Sequence, residues 1–116
     1  MIIKNINEAI KEEVVLPGAE KAVKQILIGQ SDGTPNYSMR VFTLLPEGKT
    51  PYHAHNYEHL NYVISGTGYL LDIDGNKHPI KQGEFALIPA NEKHQFCNDS
   101  INSDFVIICL VPKEFE

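Results

Sequence analysis

A chain of 116 residues, 42% hydrophobic and 22% charged, has the make-up of an ordinary globular protein. It is long enough for one domain that buries about two thirds of its surface. Ten basic against fifteen acidic residues leave a net charge of −5, which excludes the electrostatic footprint of a nucleic-acid binder or of a protein held on an anionic membrane. No apolar run approaches the about 18 residues a membrane span needs. The two cysteines, Cys97 and Cys109, make no secreted disulfide framework. Polar residues such as Lys4, Asn5 and Asn7 come too early for a secretion signal's apolar stretch, so a reducing, cytoplasmic setting is expected.

Residues 1–23 read as an extended N-terminal arm or outer strand. Ala19, Ala22, Val23 and Ile26 lie at helical spacing, which allows a short helix, but Pro17-Gly18 breaks the run before it. Residues 24–29 are apolar and partly alternating, as a strand requires, and 30–36 form a loop by composition. A β-branched and aromatic strand follows over 37–45, then Pro46-Glu47-Gly48-Lys49 as a turn. Residues 53–65 read as two strand pieces ended by Gly66 and Gly68. Strands over 69–73 and 76–80 flank Asp74-Gly75, a hairpin signal because glycine supplies the positive φ of a tight turn. Short strands at 85–88, 94–97 and 105–111 complete the chain, with turns at Lys81-Gln82-Gly83 and Pro89-Ala90-Asn91. Many short strands between turn signals point to an all-β sandwich or barrel.

Histidine placement carries the functional signal. His53, His55 and His59 are offset by two and four. On one extended strand all three imidazoles share a face. On a helix His55 and His59 would stand about 200° and 240° away from His53, and Pro46 and Pro51 also oppose a helix. Converging neutral imidazoles suit a first-row transition metal, and crowding them without one leaves donors and acceptors poorly satisfied. His94 is the preferred further ligand, since it opens a strand and shares its parity with Phe96. His78, beside Pro79, reads as a surface hairpin residue. In the last strand Ile107 and Cys109 are expected to face the interior with Phe96, and a Cys109 facing a redox metal would be an oxidation site. Arg40, the one arginine, could bind an anionic substrate; a salt bridge at the sheet surface is the preferred expectation.

These residues resemble the cupin superfamily. Gly48, His53-Ala54-His55, His59 and Gly66 are similar to its first motif, and Gly83, Pro89, Asn91, His94 and Asn98 to its second. Sixteen residues separate the two, and the resemblance is close over 48–98. Gly48 stands one residue nearer His53 than in the motif, and Asn91 replaces a glycine, which a left-handed turn tolerates. His59 stands where the family's glutamate ligand is usual; Glu58 is out of register and is not given that role.

The resemblance is closest to small single-domain cupins with a four-histidine site, some of which hold manganese. It implies a jelly-roll barrel of two packed antiparallel sheets, one divalent transition metal per chain, and His53, His55, His59 and His94 as its ligands. Manganese or iron is favoured, with zinc, nickel or copper able to occupy isolated protein. The expected function is a mononuclear metal-dependent oxidoreductase of the dioxygenase type, acting on a small chelating organic substrate in a pocket lined by Phe96, Ile107, Cys109 and Arg40. A metal- or ligand-binding module without turnover is the alternative, and sugar isomerase or epimerase chemistry a weaker one. Metal loss is expected below about pH 6, where imidazole protonates. Open sheet edges suggest a homodimer.

Overall fold

The last strand shows how this sequence builds its interior. Along Phe105–Pro112, designated β9, Phe105, Ile107, Cys109 and Val111 are buried to within 2% of complete, while the residues between them are half-buried. This is the period of two that puts alternate side chains on opposite faces of a strand. The computed structural model describes residues 1–116.

The remaining strands are β1 (Glu12–Glu13), β2 (Glu20–Ile28), β3 (Tyr37–Lys49), β4 (His59–Ser65), β5 (Thr67–Leu71), β6 (Lys77–Lys81), β7 (Phe85–Ile88) and β8 (Gln95–Cys97). All pairings are antiparallel. The hydrogen-bonded order is β6-β5-β8-β3-β9-β4-β7, with β2 on β3 and β1 on β2. Two facing layers result, β6-β5-β8 and β2-β3-β9-β4-β7, joined where Lys49 pairs with Cys97. The fold is the expected all-β jelly-roll barrel. No helix is long and apolar enough to cross a membrane.

Three local expectations are corrected. Pro46-Glu47-Gly48-Lys49 is not a turn: β3 runs on to Lys49. Pairing passes from Ala22↔Leu44 to Glu20↔Lys49, so the chain bulges there, with Glu47 at φ 65° and Lys21 at φ 48°. Gly48 is needed because a Cβ would come within 2.5 Å of the Lys21 carbonyl oxygen. Second, the residues at helical spacing from Ala22 to Ile26 lie in β2, because β3 supplies a partner for the whole segment. Third, the arm is extended only in part. It makes a short 3-10 turn at Ile6–Glu8, then β1, and is tied down by Gln25, whose amide donates to the Ile6 and Ala9 carbonyls at 3.0 Å each.

Inward residues form rows across the sheet. Leu44 pairs with Phe105; Phe42 with Ile107, which also pairs with Val63; and Arg40 with Cys109, which also pairs with Asn61. Leu44, Val63, Phe105 and Ile107 join Ala22, Ile80 and Phe96 in one buried apolar cluster. The next row is polar and belongs to a cavity. On the outer face Leu60, Tyr62, Phe85 and Leu87 are exposed, in the cross-strand pairs Leu60↔Leu87 and Tyr62↔Phe85.

Candidate metal centre

Four imidazoles meet at the wall of that cavity, delivered by three pieces of chain. His53 forms an antiparallel bridge with His94: the His53 amide donates to the His94 carbonyl at 3.2 Å and the His94 amide to the His53 carbonyl at 3.0 Å. Thr50 holds the same seam, its hydroxyl accepting from the Phe96 amide at 2.9 Å. His59 is the first residue of β4.

The segment from His53 to His59 does not stay extended, as a shared strand face would need, because the chain loops between the bridge and β4. His55 sits in that loop. Its carbonyl accepts from the Asn91 amide at 2.7 Å, so the turn carrying Asn91 (φ 68°) anchors it. Convergence comes from the bridge and the loop rather than from strand alternation.

The ligating atoms of His53, His55 and His94 lie within 4.8 Å of one another. His59 stands outside this trio and touches it at His94, Nε2 to Nε2, at 3.1 Å. The outer nitrogens are already engaged. His55 Nδ1 lies 3.0 Å from the Tyr57 carbonyl and His94 Nδ1 lies 2.8 Å from the Glu92 carbonyl. A carbonyl only accepts, so both rings carry their proton on Nδ1 and turn a bare Nε2 inward. His59 Nδ1 faces the Asn61 side-chain amide, with the nitrogen at 2.8 Å and the oxygen at 3.2 Å.

Burial, and then the neighbouring His94 ring, push His59 down to about 3. Burial is also the leading cause that holds His94 below the usual imidazole range. His53 lies at the solvent edge; partial burial, then His55 and His94, lower it too. These rings are neutral at pH 7, the form that ligates metals.

The cupin domain family matches residues 40–111, which hold both histidine motifs. The chain belongs to the cupin family.

This cupin is 29% identical to gentisate 1,2 dioxygenase 1 of Aquipseudomonas alcaligenes over 101 residues, 80% of the chain but only 29% of that protein's length. It is 25% identical to auxin-binding protein T85 of Nicotiana tabacum, spanning 97% of the chain and 64% of that protein. Among solved structures, the polyketide cyclase RemF from Streptomyces resistomycificus superposes with a TM-score of 0.90 at 29% identity, over 97% of this chain and 79% of that one. A predicted oxalate decarboxylase from Thermotoga maritima superposes at 0.83 and 19% identity, over 97% and 99%, and so shares the fold.

The cupin's cavity has a volume of about 430 Å³, and all four histidines line it. Phe96, Ile107, Cys109 and Arg40, the residues expected to line the pocket, also do so. Arg40 corrects the preferred expectation of a surface salt bridge. It is 9% exposed, points inward and has no carboxylate partner. Cys109 accepts from Arg40 Nη2 at 3.1 Å and lies 3.4 Å from His59 Nδ1, and burial holds its thiol above the usual range. His78 lies away from the site, exposed and paired with Asp72 at 2.8 Å.

Asn61, Tyr57 and Phe115 were not legible as site residues. Rings of His55, Tyr57 and Phe115 stack in a column at 4.0 Å spacing. The one sequence clue was parity: Asn61 lies two residues past His59 on the same strand face.

Proposed function

We propose that this cupin is a metal-dependent enzyme of the dioxygenase type, oxidising a small organic substrate that chelates the ion. One observation carries the reading: imidazoles with tethered Nδ1 atoms turn their Nε2 atoms toward one another on a cavity wall. His53, His55 and His94 would hold one divalent transition ion, with His59 as the fourth ligand. Two nitrogens at about 2.1 Å from a shared ion stand roughly 3–3.4 Å apart, and the 3.1 Å between His59 and His94 fits that spacing. Manganese or iron, and zinc, nickel or copper, all accept such ligands.

An ion held there supplies Lewis-acid polarisation of chelating oxygens and, as iron or manganese, a redox couple. The chain's own residues bind and exclude. Phe96 and Ile107 make an apolar wall, and the tethers from Glu92 and Tyr57 fix ring orientation. Four neutral ligands add no negative charge, so the site suits an anionic chelate.

Likeness to the gentisate dioxygenase supports the oxidative reading. A second reading, non-oxidative ring closure of a polycarbonyl substrate, is favoured by the RemF match, which reaches the same identity across 97% of the chain. To separate them, protein loaded with Fe(II), Mn(II) or Zn(II) is offered dihydroxybenzoates, diketones and a polycarbonyl chain, with and without air. Oxygen uptake with an oxygenated product supports the first. A dehydrated cyclic product formed without air supports the second. No product with any ion refutes both and leaves a binding module.

We also propose a homodimer, supported by the exposed apolar face of Leu60, Tyr62, Phe85 and Leu87. A monomer mass by light scattering across micromolar concentrations refutes it.

A further inference from the structure

Arg40 is a buried cation without an anion. Nη2 donates to the Cys109 thiol at 3.1 Å, a weak acceptor, and Nη1 reaches the Phe115 carbonyl at 3.4 Å. Nε is buried with no partner. The guanidinium lies over the Phe42 ring at 5.0 Å. A guanidinium has five donors, and an uncompensated buried charge is costly.

The chain's own carboxylates do not relieve it. Glu116 lines the same cavity, but its side-chain oxygen already accepts from the Ser38 hydroxyl at 2.5 Å and the Gln30 amide at 2.9 Å. Glu12 and Glu13 stand exposed at the rim. Lys24, a second cation on the cavity wall, is held below the usual lysine range by burial and then by Arg40 itself. Lys24 Nζ has an oxygen partner, the Glu116 main-chain oxygen at 3.1 Å, whereas no carboxylate lies within ion-pair distance of Arg40.

Placement gives this charge a direction. Arg40, Cys109 and Asn61 form one inward row across β3, β9 and β4, and Asn61 contacts His59. A single thiol, Cys109, lies between the guanidinium and the His59 ring. The guanidinium and the four histidines therefore face the same cavity.

We propose that Arg40 is a substrate-binding residue: the cavity takes a small organic acid that sets a carboxylate against the guanidinium and turns a chelating oxygen pair to the histidines. The chelating end rests on the metal reading above; the carboxylate end rests on Arg40 alone. A planar, bidentate pair is the arrangement guanidinium and carboxylate favour.

Catechol, 2,3-dihydroxybenzoate and 3,4-dihydroxybenzoate share a chelating diol and differ by a carboxylate. Each is titrated into Co(II)-loaded wild type, Arg40→Gln and Arg40→Lys, read by the cobalt absorption bands. At least one carboxylated probe binds wild type about tenfold or more tighter than catechol, the scale of one charge-assisted hydrogen bond. Arg40→Gln abolishes that advantage and leaves catechol unchanged; Arg40→Lys keeps part of it.

Benzoate titrated into metal-free wild type and both variants, read by tyrosine fluorescence, tests the carboxylate end without an ion. Preference for carboxylate that survives in Arg40→Gln, or benzoate binding equal in wild type and both variants, overturns the proposal. If cobalt does not bind while benzoate binding still depends on Arg40, the metal reading fails and the anion site stands. Circular dichroism confirms that each variant folds, and Arg40→Lys carries the test if Arg40→Gln does not.

Discussion

Replacing Asn61 by leucine is expected to weaken metal binding about 10- to 100-fold while the barrel stays folded, the usual cost of removing the partner of a ligating histidine. The reasoning starts at His94. Its Nδ1 proton is committed to the Glu92 carbonyl at 2.8 Å, so its Nε2 offers only a lone pair. At 3.1 Å the facing His59 Nε2 must carry a hydrogen in the ion-free chain. His59 Nδ1 then accepts from the Asn61 amide nitrogen at 2.8 Å. An ion at Nε2 requires that proton on Nδ1 instead, where the Asn61 oxygen at 3.2 Å becomes the acceptor. An amide serves both states, donating in one and accepting in the other. Leucine fills a similar volume at this 4%-exposed position and does neither. Only the Cys109 thiol, 3.4 Å from Nδ1, remains as a weak partner. The expected loss converts to about 1.4–2.8 kcal/mol. Asn61→Asp carries the opposite sign: a carboxylate only accepts, holds the proton on Nδ1 and leaves Nε2 bare. Competition with a chromophoric chelator for Zn(II) at pH 7 measures both, with circular dichroism as the folding control. Equal zinc affinity in wild type, Asn61→Leu and Asn61→Asp, all folded, refutes the reasoning.

Acid should destabilise the metal-free protein before it protonates the folded site. His59 titrates near 3 when folded and at the ordinary 6.5 when unfolded, so between those limits only the unfolded chain binds the proton. Stability is therefore full above about pH 6.5 and falls with pH toward 3, by up to about 5 kcal/mol; identical urea midpoints for wild type and His59→Gln at pH 7 and pH 4.5 would contradict this. The same lowering weakens proton competition for the ion, which moves metal loss to a pH below the about 6 expected from sequence. Elemental analysis after dialysis at stepped pH checks it, and complete loss by pH 6 counts against it. Gly48→Ala should cost about 1–3 kcal/mol, since the new Cβ would meet the Lys21 and Leu45 carbonyl oxygens at 2.5 and 2.8 Å; an unchanged urea midpoint refutes that. Burial raises both cysteine thiols, but only Cys109 lines the cavity. Peroxide should oxidise Cys109 ahead of Cys97 only in Fe(II)-loaded protein, as peptide mass spectrometry would show, and equal modification without iron argues against a cavity-directed reaction.

Alternation made the strands legible wherever one face is buried: β7 falls on the expected residues 85–88, and β9 exceeds its expected range by one residue, Pro112. Pairing partners were not legible. Pro46-Glu47-Gly48 has a turn's composition, yet β2 continues opposite it and converts the would-be turn into a bulge. Ala22 and Ile26 fit a helical period as well as an extended one, and β3 decides between them. At the site, spacing marked the histidines because four imidazoles are rare and their register is informative. It could not mark Asn61, whose role depends on His59 beside it and Cys109 across the ladder. It left Arg40 divided between the pocket and a surface salt bridge, because a lone arginine on a strand gives no sign of which face is dry.

The rows across β3, β9 and β4 link these outcomes. From Leu44–Phe105 to Phe42–Ile107–Val63 the interior is apolar, and there packing fixes the barrel. One row further it becomes Arg40–Cys109–Asn61, a polar row in which Arg40 Nε is left without a partner. A barrel built only for stability would continue the apolar ladder, since a dry hydrophobic row of equal volume is usually neutral or better than buried charge. This polar row adjoins the four-histidine wall, so its cost falls where a ligand can offset it. Imidazoles and a cationic guanidinium share one cavity, and no carboxylate pairs with that guanidinium. On the proposal that Arg40 binds substrate, the guanidinium favours an anion whether the chemistry at the histidines proves oxidative or not.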